Sequence, residues 1–324
     1  MMTRKNRALA HRIVLALAVS CSAGLNVSAS QTNSQTETVT DTVPVEQASP
    51  AEQSWELRYQ FQPGQTLRYK THQTVTTVAM ASNQQKTDES TVEQTRLFTV
   101  DQVDTVGTAH LAMQFERVWM QVRTNNGQPV VFDATMKAEE VPAIFRQTAD
   151  RLRGSAAKYH LLSNGRVANP AKPDAKPDSQ KELMAPSFLM ALPDQPVRVG
   201  DTWKDIQLAR TRVTKDLKRD IQILQTFRLD SVENGIATIS FNSSIESPVS
   251  NPSIQAQLIQ STPKGTLRFD INRGIMLEKK FRFDESVLNA LGSNSLLNSH
   301  GSYTEEFVES ASSVPAAEQG LSAN

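Results

Sequence analysis

From Trp55 to Glu309 apolar residues recur mostly at every second position. Leu267, Phe269 and Ile271 alternate with polar residues, Asn272-Arg273-Gly274 supplies a turn, and Ile275, Leu277, Phe281 and Phe283 resume the apolar face. A period of two broken by Asn and Gly predicts a β-hairpin with one buried face. Ile221, Ile223, Phe227 and Leu229, the Glu233-Asn234-Gly235 turn, and Ala237, Ile239 and Phe241 predict another. The strands run to about 10 to 15 residues against a usual five or six. Antiparallel strands of that length twist and coil, so the sheet is expected to curve. One strand changes phase: Ala109, Leu111, Met113 and Phe115 share a face, whereas Val118, Met120 and Val122 have the opposite parity. A one-residue bulge near Glu116-Arg117 returns both sets to one side and bends the strand. Burial between two layers accounts for the same pattern. The expected fold class is mainly β (α+β), built of long, curved antiparallel sheets.

Helical spacing interrupts the alternation twice. Between Ala138 and Arg153, Val141, Ile144, Phe145, Ala149 and Leu152 recur every three or four residues, Pro142 suits a first turn and Gly154 a C-terminal cap, which predicts an amphipathic helix on the sheet. The second stretch, Glu182 to Leu192, follows the Pro- and Lys-rich loop Asn169 to Lys181. Its Leu183, Met184, Phe188, Leu189, Met190 and Leu192 are apolar around most of a helical circumference, so it is expected to be buried on more than one side, as a core plug or a lid over an apolar cleft.

The chain also echoes itself. Pro63-Gly64-Gln65-Thr66-Leu67 has a counterpart in Val199-Gly200-Asp201-Thr202-Trp203, and Phe98 to Asp104 with Gly107 has one in Phe227 to Glu233 with Gly235. Ser163-Asn164-Gly165-Arg166-Val167 pairs less well with Asn272-Arg273-Gly274-Ile275. Their common order points to duplicated β-units, approximately 55–168 and 194–309, joined by a helical connection over 169–193.

Charge changes the picture when it is divided along the chain. The whole sequence has 34 Lys plus Arg, 34 Asp plus Glu and a single cysteine. Such a balance argues against a dedicated nucleic-acid binder and against a disulfide scaffold. Residues 1–30 hold Arg4, Lys5, Arg7 and Arg12 with no acid, followed by the apolar run Ile13 to Val19 and small residues, which is the pattern of a secretory signal peptide. The run is short of the ~20 apolar residues needed to span a bilayer, and no later segment comes closer, so no transmembrane segment is expected in the mature chain. Two cleavage readings stand. Signal peptidase cuts after Ala29 or Ser30, or Ala18-Val19-Ser20-Cys21 acts as a lipoprotein box with Cys21 acylated, although the usual Leu of that box is replaced by Ala18. Loss of the leader leaves 30 bases against 34 acids, a net charge of minus four. Residues 31–54, with Glu37, Asp41, Glu46 and Glu52 but no base and no aromatic residue, cannot bury enough apolar surface to offset chain entropy and read as a disordered linker. Its 24 residues would reach roughly 27 Å. Residues 310–324 read as a disordered tail.

Catalytic and metal motifs are sparse. His11, His72, His110, His160 and His300 show no ligand spacing, and HExxH, paired cysteines and calcium loops are absent. Ser155-Ala156-Ala157-Lys158 and Ser261-Thr262-Pro263-Lys264 fit S-x-x-K, but neither serine sits at a helix start, which that chemistry requires. Asp101 with Asp104, and Asp230 with Glu233, lie beside turns where acids are ordinary. The basic stretch Arg210, Arg212, Lys215, Lys218 and Arg219 reads as the polar face and turn of a hairpin, or more weakly as a contact for an anionic surface. No cofactor, metal or catalytic residue is assigned.

Leu57 to Thr66, the run Leu192-Pro193-Asp194-Gln195-Pro196-Val197-Arg198-Val199-Gly200-Asp201-Thr202-Trp203, and Lys264-Gly265-Thr266 with Asp270 and Gly274 resemble an uncharacterised family of exported bacterial β-rich proteins. The resemblance covers about Trp55 to Phe283 and implies export and a duplicated β fold, with no activity to carry over. In outline the expected fold is also similar to that of periplasmic lipoprotein carriers, an analogy of fold that assigns no function. The reading is an exported, non-enzymatic envelope protein, in the periplasm or at the cell surface and, under the second cleavage reading, lipid-anchored through Cys21. Its curved sheet is expected to hold a lipid or other apolar or amphipathic ligand near Phe188, Leu189, Met190 and Leu192. The alternative is a structural or partner-binding envelope protein with a filled core, and a hydrolase is a third reading.

Overall fold

The computed structural model describes residues 53–152, 157–168, 189–214 and 217–309. Eleven strands stand among them: β1 (Thr66–Ala81), β2 (Gln84–Val103), β3 (Ala109–Thr124), β4 (Val130–Asp133), β5 (Ala157–Leu161), β6 (Thr202–Arg212), β7 (Lys218–Glu233), β8 (Ile236–Ile245), β9 (Lys264–Asp270), β10 (Ile275–Leu288) and β11 (Leu296–Val308). Two short helices accompany them, α1 (Arg146–Leu152) and α2 (Pro252–Gln257). All eleven strands belong to one antiparallel sheet ordered β4-β3-β2-β1-β11-β10-β9-β8-β7-β6, with β5 also on the outer edge of β3. The first strand therefore lies beside the last. Pairing from Arg68 with Val308 to Met80 with Leu296 joins a five-strand and a six-strand meander into one surface.

Local chemistry explains the hairpins. Ser82 and Asn83 between β1 and β2, and Asn234 and Gly235 between β7 and β8, all have positive φ, the geometry that matches a tight two-residue turn to the twist of its strands. The bulge expected in β3 is present. Thr95 pairs with Arg117 and Arg96 with Phe115, so Glu116 is the extra residue, and Val118 and Met120 rejoin the buried face of Leu111 and Met113. Asp101 in β2 and Asp230 in β7 are skipped in the same way. Ahead of these bulges, Gly64 N–H donates to Val100 O and Val100 N–H to Gln65 O, while Gly200 N–H donates to Leu229 O and Leu229 N–H to Asp201 O.

Long strands interrupted by bulges coil, and here the sheet curls without closing. Arg166, after β5 at one end of the strand order, reaches Asp205 on β6 at the other, with Nε 3.3 Å from Oδ1. The concave face holds the core. The largest cluster joins Leu67, Tyr69, Phe98, Leu111, Phe227, Leu229, Ile239, Leu267 and Phe269 to Leu57, Tyr59, Met190 and Leu192 from outside the strands. Val141, Phe145 and Ala149 cover Val92, Val118, Met120 and Phe132. The segment around α2 packs Ile254 and Leu258 on Ile221 and Ile223, and Ala256 and Ile259 on Val287 and Leu297.

The helices differ from expectation. The one expected over 138–153 is confined to Arg146–Leu152. Ahead of it the chain forms turns, in one of which Phe145 N–H donates to Pro142 O, and Ile144 is exposed. Burial of Val141 and Phe145 fixes that path, since so short a helix has little stability of its own. Of the stretch 182–192, residues 182–188 lie outside the described residues, and 189–192 are irregular rather than helical. Met190 N–H donates to the Tyr59 hydroxyl and Leu192 N–H to Asn164 O, long-range partners that take the place of helical ones. Helix α2 was not expected, although Asn251 caps it by accepting from Ser253 N–H and proline stands in its first turn.

Candidate ligand-binding face

One end of the concave face is filled by two crossing segments. Residues 55–60 are tied by paired bonds between Trp55 and Val197, by Tyr59 N–H to Ser163 O and by Gln60 N–H to Gly274 O. The Tyr59 ring stacks on Phe61 at 5.8 Å and meets Phe269 edge-on at 5.3 Å. Its hydroxyl accepts from Met190 N–H at 3.0 Å. Tyr69 donates to Met276 O, also at 3.0 Å. Burial pushes both phenol groups far above their ordinary pKa, so they act as neutral hydrogen-bonding groups. Gly165 is required where the segments meet. Its φ is +80°, and a Cβ there would lie 2.2 Å from Met190 O and 2.6 Å from the Tyr59 ring.

Below this plug a transverse row of side chains crosses the sheet. Phe132, Met120, Val92, Gln73, Tyr303, Phe281, Gly265, Phe241, Phe227 and Trp203 are each the direct cross-strand partner of the next. Because paired residues share a face, all ten look into the concavity. Phe281 stacks on Tyr303 at 4.7 Å and Trp203 on Phe227 at 5.5 Å. Gly265 leaves room for Phe241 and Phe281 to meet edge-on at 6.4 Å. Both ends of the row are covered, Phe132 by Phe145 of the α1 segment and Trp203 through its Nε1–H, which donates to Ala191 O at 2.8 Å.

Polar groups are interspersed on the same face. Thr77 and Ser299 share a hydrogen bond at 3.1 Å. Asp88 accepts from Lys86 Nζ at 2.6 Å and from Thr124. Arg96 is buried, holds Gln94 Oε1 and lies over the Phe115 ring at 5.7 Å. Glu305 is fully buried and directly opposite Lys279 in the register. Gln73 Nε2, both side-chain polar atoms of Gln260, the Tyr159 hydroxyl and Glu305 Oε2 are buried with no hydrogen bond, as are Trp55 Nε1 and Asn298 Oδ1. Gln260 follows α2, whose Gln257 side chain donates to Arg212 O and accepts from Arg212 N–H, closing the end of edge strand β6. The combination of aromatic faces and unmet amides is suited to holding an amphipathic molecule.

Of the residues nominated from sequence, Met190 and Leu192 are buried in the main core cluster and Leu189 packs against it. Phe188 and Cys21 lie outside the described residues. The aromatic row is not legible in the sequence, because each member belongs to a different strand and cross-strand register is not a local signal. His110 and His160, fifty positions apart, are cross-strand partners whose rings stack at 4.2 Å. Gln102 Nε2 lies 3.1 Å from His110 Nδ1. His72 lies 3.5 Å from Glu93 on an exposed surface. Asp104 is a turn residue, accepting from Val106 and Thr108 N–H groups, which hold its carboxyl below the usual range. Arg210 pairs with Asp220 across the β6–β7 hairpin. Among the described residues no three His, Cys, Asp or Glu side chains gather where they could hold a metal ion. No described helix is long and apolar enough to cross a membrane.

No curated protein matches the chain. A solved structure reported for lipid–protein interactions in lipovitellin is similar at 12% identity and a TM-score of 0.44, over 81% of this chain and 27% of that one. A crystal structure of a DUF1329 family protein from Desulfovibrio piger is similar at 9% identity and a TM-score of 0.12, over 74% of this chain and 84% of that one. Both scores are too low to speak for a shared fold, and the chain spans 27% of the lipovitellin chain. Residues 176–276, which contain the run Leu192 to Trp203 and Lys264-Gly265-Thr266, match DUF6263, a family of unknown function.

Proposed function

We propose that this is an exported, non-enzymatic cell-envelope protein that holds an apolar or amphipathic ligand against its concave face. The observation that carries the reading is the transverse row from Phe132 to Trp203, aromatic at most of its C-terminal positions and interrupted by Gln73, whose side-chain nitrogen has no partner. Aromatic faces contribute large apolar area at low entropic cost, and unmet buried amides call for a partner. Leu189, Met190 and Leu192 close one end of the site in this reading.

Native mass spectrometry and solvent extraction of the purified protein test it, together with titration by an apolar fluorescent dye. The expected result is a co-purifying lipid or dye binding that weakens when Phe281→Ala removes ring area from the row. Absence of both a bound molecule and dye binding overturns the reading. A second reading, a structural or partner-binding protein with a filled core, is favoured by the burial of Leu57, Tyr59, Met190 and Leu192. It predicts co-purifying protein in place of lipid.

Export rests on the basic leader of residues 1–30, and mass analysis of the mature N-terminus distinguishes Gln31 from an acylated Cys21. The same reading takes 55–168 and 194–309 as two related β-units. Its support is that the Gly64 and Gly200 turns bond to Val100 and Leu229 alike, each one residue before a bulged aspartate.

A further inference from the structure

We infer that the molecule held on the concave face carries an uncharged hydrogen-bonding group, an ester, amide or hydroxyl, beside its apolar chain, and carries no free carboxylate or phosphate. The inference rests on the ligand-binding reading above and concerns the chemistry of the same site. Gln73 is 4% exposed and Gln260 9% exposed, yet Gln73 Nε2 and both polar atoms of Gln260 are unbonded. A buried amide without a partner forfeits its hydration and gains nothing in return, so an apolar residue would be the more stable choice at either position. An uncharged ligand group that accepts from Gln73 and both accepts from and donates to Gln260 removes that penalty.

The charged side chains on this face are engaged by the protein itself. Arg96, Lys279 and Glu305 each have partners within the chain, and Glu305 Oε2, which accepts no hydrogen bond, adds a buried acceptor that disfavours an anion. Asp88 is paired with Lys86, and Asp205 with Arg166. An anionic headgroup brought here would lose its hydration without finding an unpaired cation, an unfavourable exchange. The surroundings of Gln73 are apolar on both sides, Val92 on β2 and Tyr303 on β11. A chain with one or two neutral polar groups matches that setting better than a wholly polar molecule.

The two amides also set a length. Thr262, two residues after Gln260, donates to Glu285 Oε1 at 2.8 Å. Glu285 is opposite Ser299, and Ser299 is opposite Thr77. Thr77 is four residues from Gln73 along β1, or roughly 13 Å at strand rise. Gln73 and Gln260 thus address separate stretches of an extended ligand.

The test uses the full chain and displacement of the bound apolar dye by three amphiphiles of one chain length: a monoacylglycerol, the free fatty acid and a lysophosphatidic acid, at neutral pH. The monoacylglycerol is expected to displace the dye at about a tenfold lower concentration than either anion, the scale of one well-made buried hydrogen bond. Gln73→Leu and Gln260→Leu, made separately, should each weaken displacement by the monoacylglycerol while raising the Tm of the ligand-free protein. An anion that competes as well as the neutral lipid overturns the inference. So does a pair of leucine variants that leave displacement unchanged, the outcome expected if water alone satisfies the amides. If neither dye nor lipid binds, the ligand-binding reading itself fails, and this inference with it.

Discussion

Asp205 places a carboxylate in the interior of β6, where burial raises its pKa and Arg166, 3.3 Å away, offsets that rise only in part. The folded protein therefore holds this proton more tightly than the unfolded chain, whose carboxyl titrates near ~4. Stability from this site falls as pH rises from the unfolded pKa through the folded one, and the penalty is complete above both. Asp194, Asp220, Glu116 and Asp133 are shifted down by hydrogen bonds from Asn164, Arg210, Arg68 and Thr135, in that order, so their contributions are present at neutral pH and are lost as pH falls. Asp205→Asn should raise the urea midpoint at pH 7 and leave it unchanged at pH 3, where the wild-type carboxyl is already protonated. A variant destabilised at pH 7 would mean that the Arg166 pair outweighs desolvation. At this scale the sequence was partly legible. The turn roles of Asp104, Asn234 and Gly235 follow from residue type, whereas the burial of Asp205 and the stacking of His110 on His160 depend on strands distant in the chain.

Among the elements, β3 shows how one residue directs a layer. Glu116 is the unpaired residue of its bulge, and its carboxylate accepts from Arg68 Nε and Nη2 at 2.7 and 2.8 Å on the outer face. Deleting Glu116 would leave Phe115 opposite Arg96 and Arg117 opposite Thr95 with no residue between them, so Val118 and Met120 would keep the buried face while the strand lost its local bend and the ion pair to Arg68. A loss of about 1 to 3 kcal/mol in urea unfolding is expected, because the bend that lets β3 follow the curved sheet is lost together with the Arg68 pair, while the buried residues keep their face. Glu116→Ala keeps the extra residue and should stay near the wild-type midpoint. A deletion as mild as the alanine variant would show that the sheet keeps its curvature without this bulge. The parity change was readable because it is a local pattern. The extent of α1 was not, since the turns before it are held by packing of Val141 and Phe145 on the sheet, and the path of 189–192 is held by Tyr59 and Asn164.

Across the whole molecule, the pairing of β1 with β11 makes one sheet of two meanders. A chain ended before Leu296 would leave β1 and β10 with open edges at the centre of the sheet and would deprive Thr77, Val287 and Ala256 of Ser299 and Leu297. Size-exclusion chromatography and circular dichroism should find it aggregated or unfolded, and a folded monomer would show that the N-terminal meander stands without its neighbour. The sequence by itself determined the mainly β class, the hairpin turns and the apolar faces, because each is written in a period of two and in residues that tolerate positive φ, and it left the parity change in β3 open between a bulge and burial on both faces. The tertiary structure decided the pairing of β1 with β11, the covering of the concave face by four separate segments, and the row from Phe132 to Trp203. Those features depend on which strands become neighbours and in what register, and that choice is made by the summed burial of residues far apart in the chain.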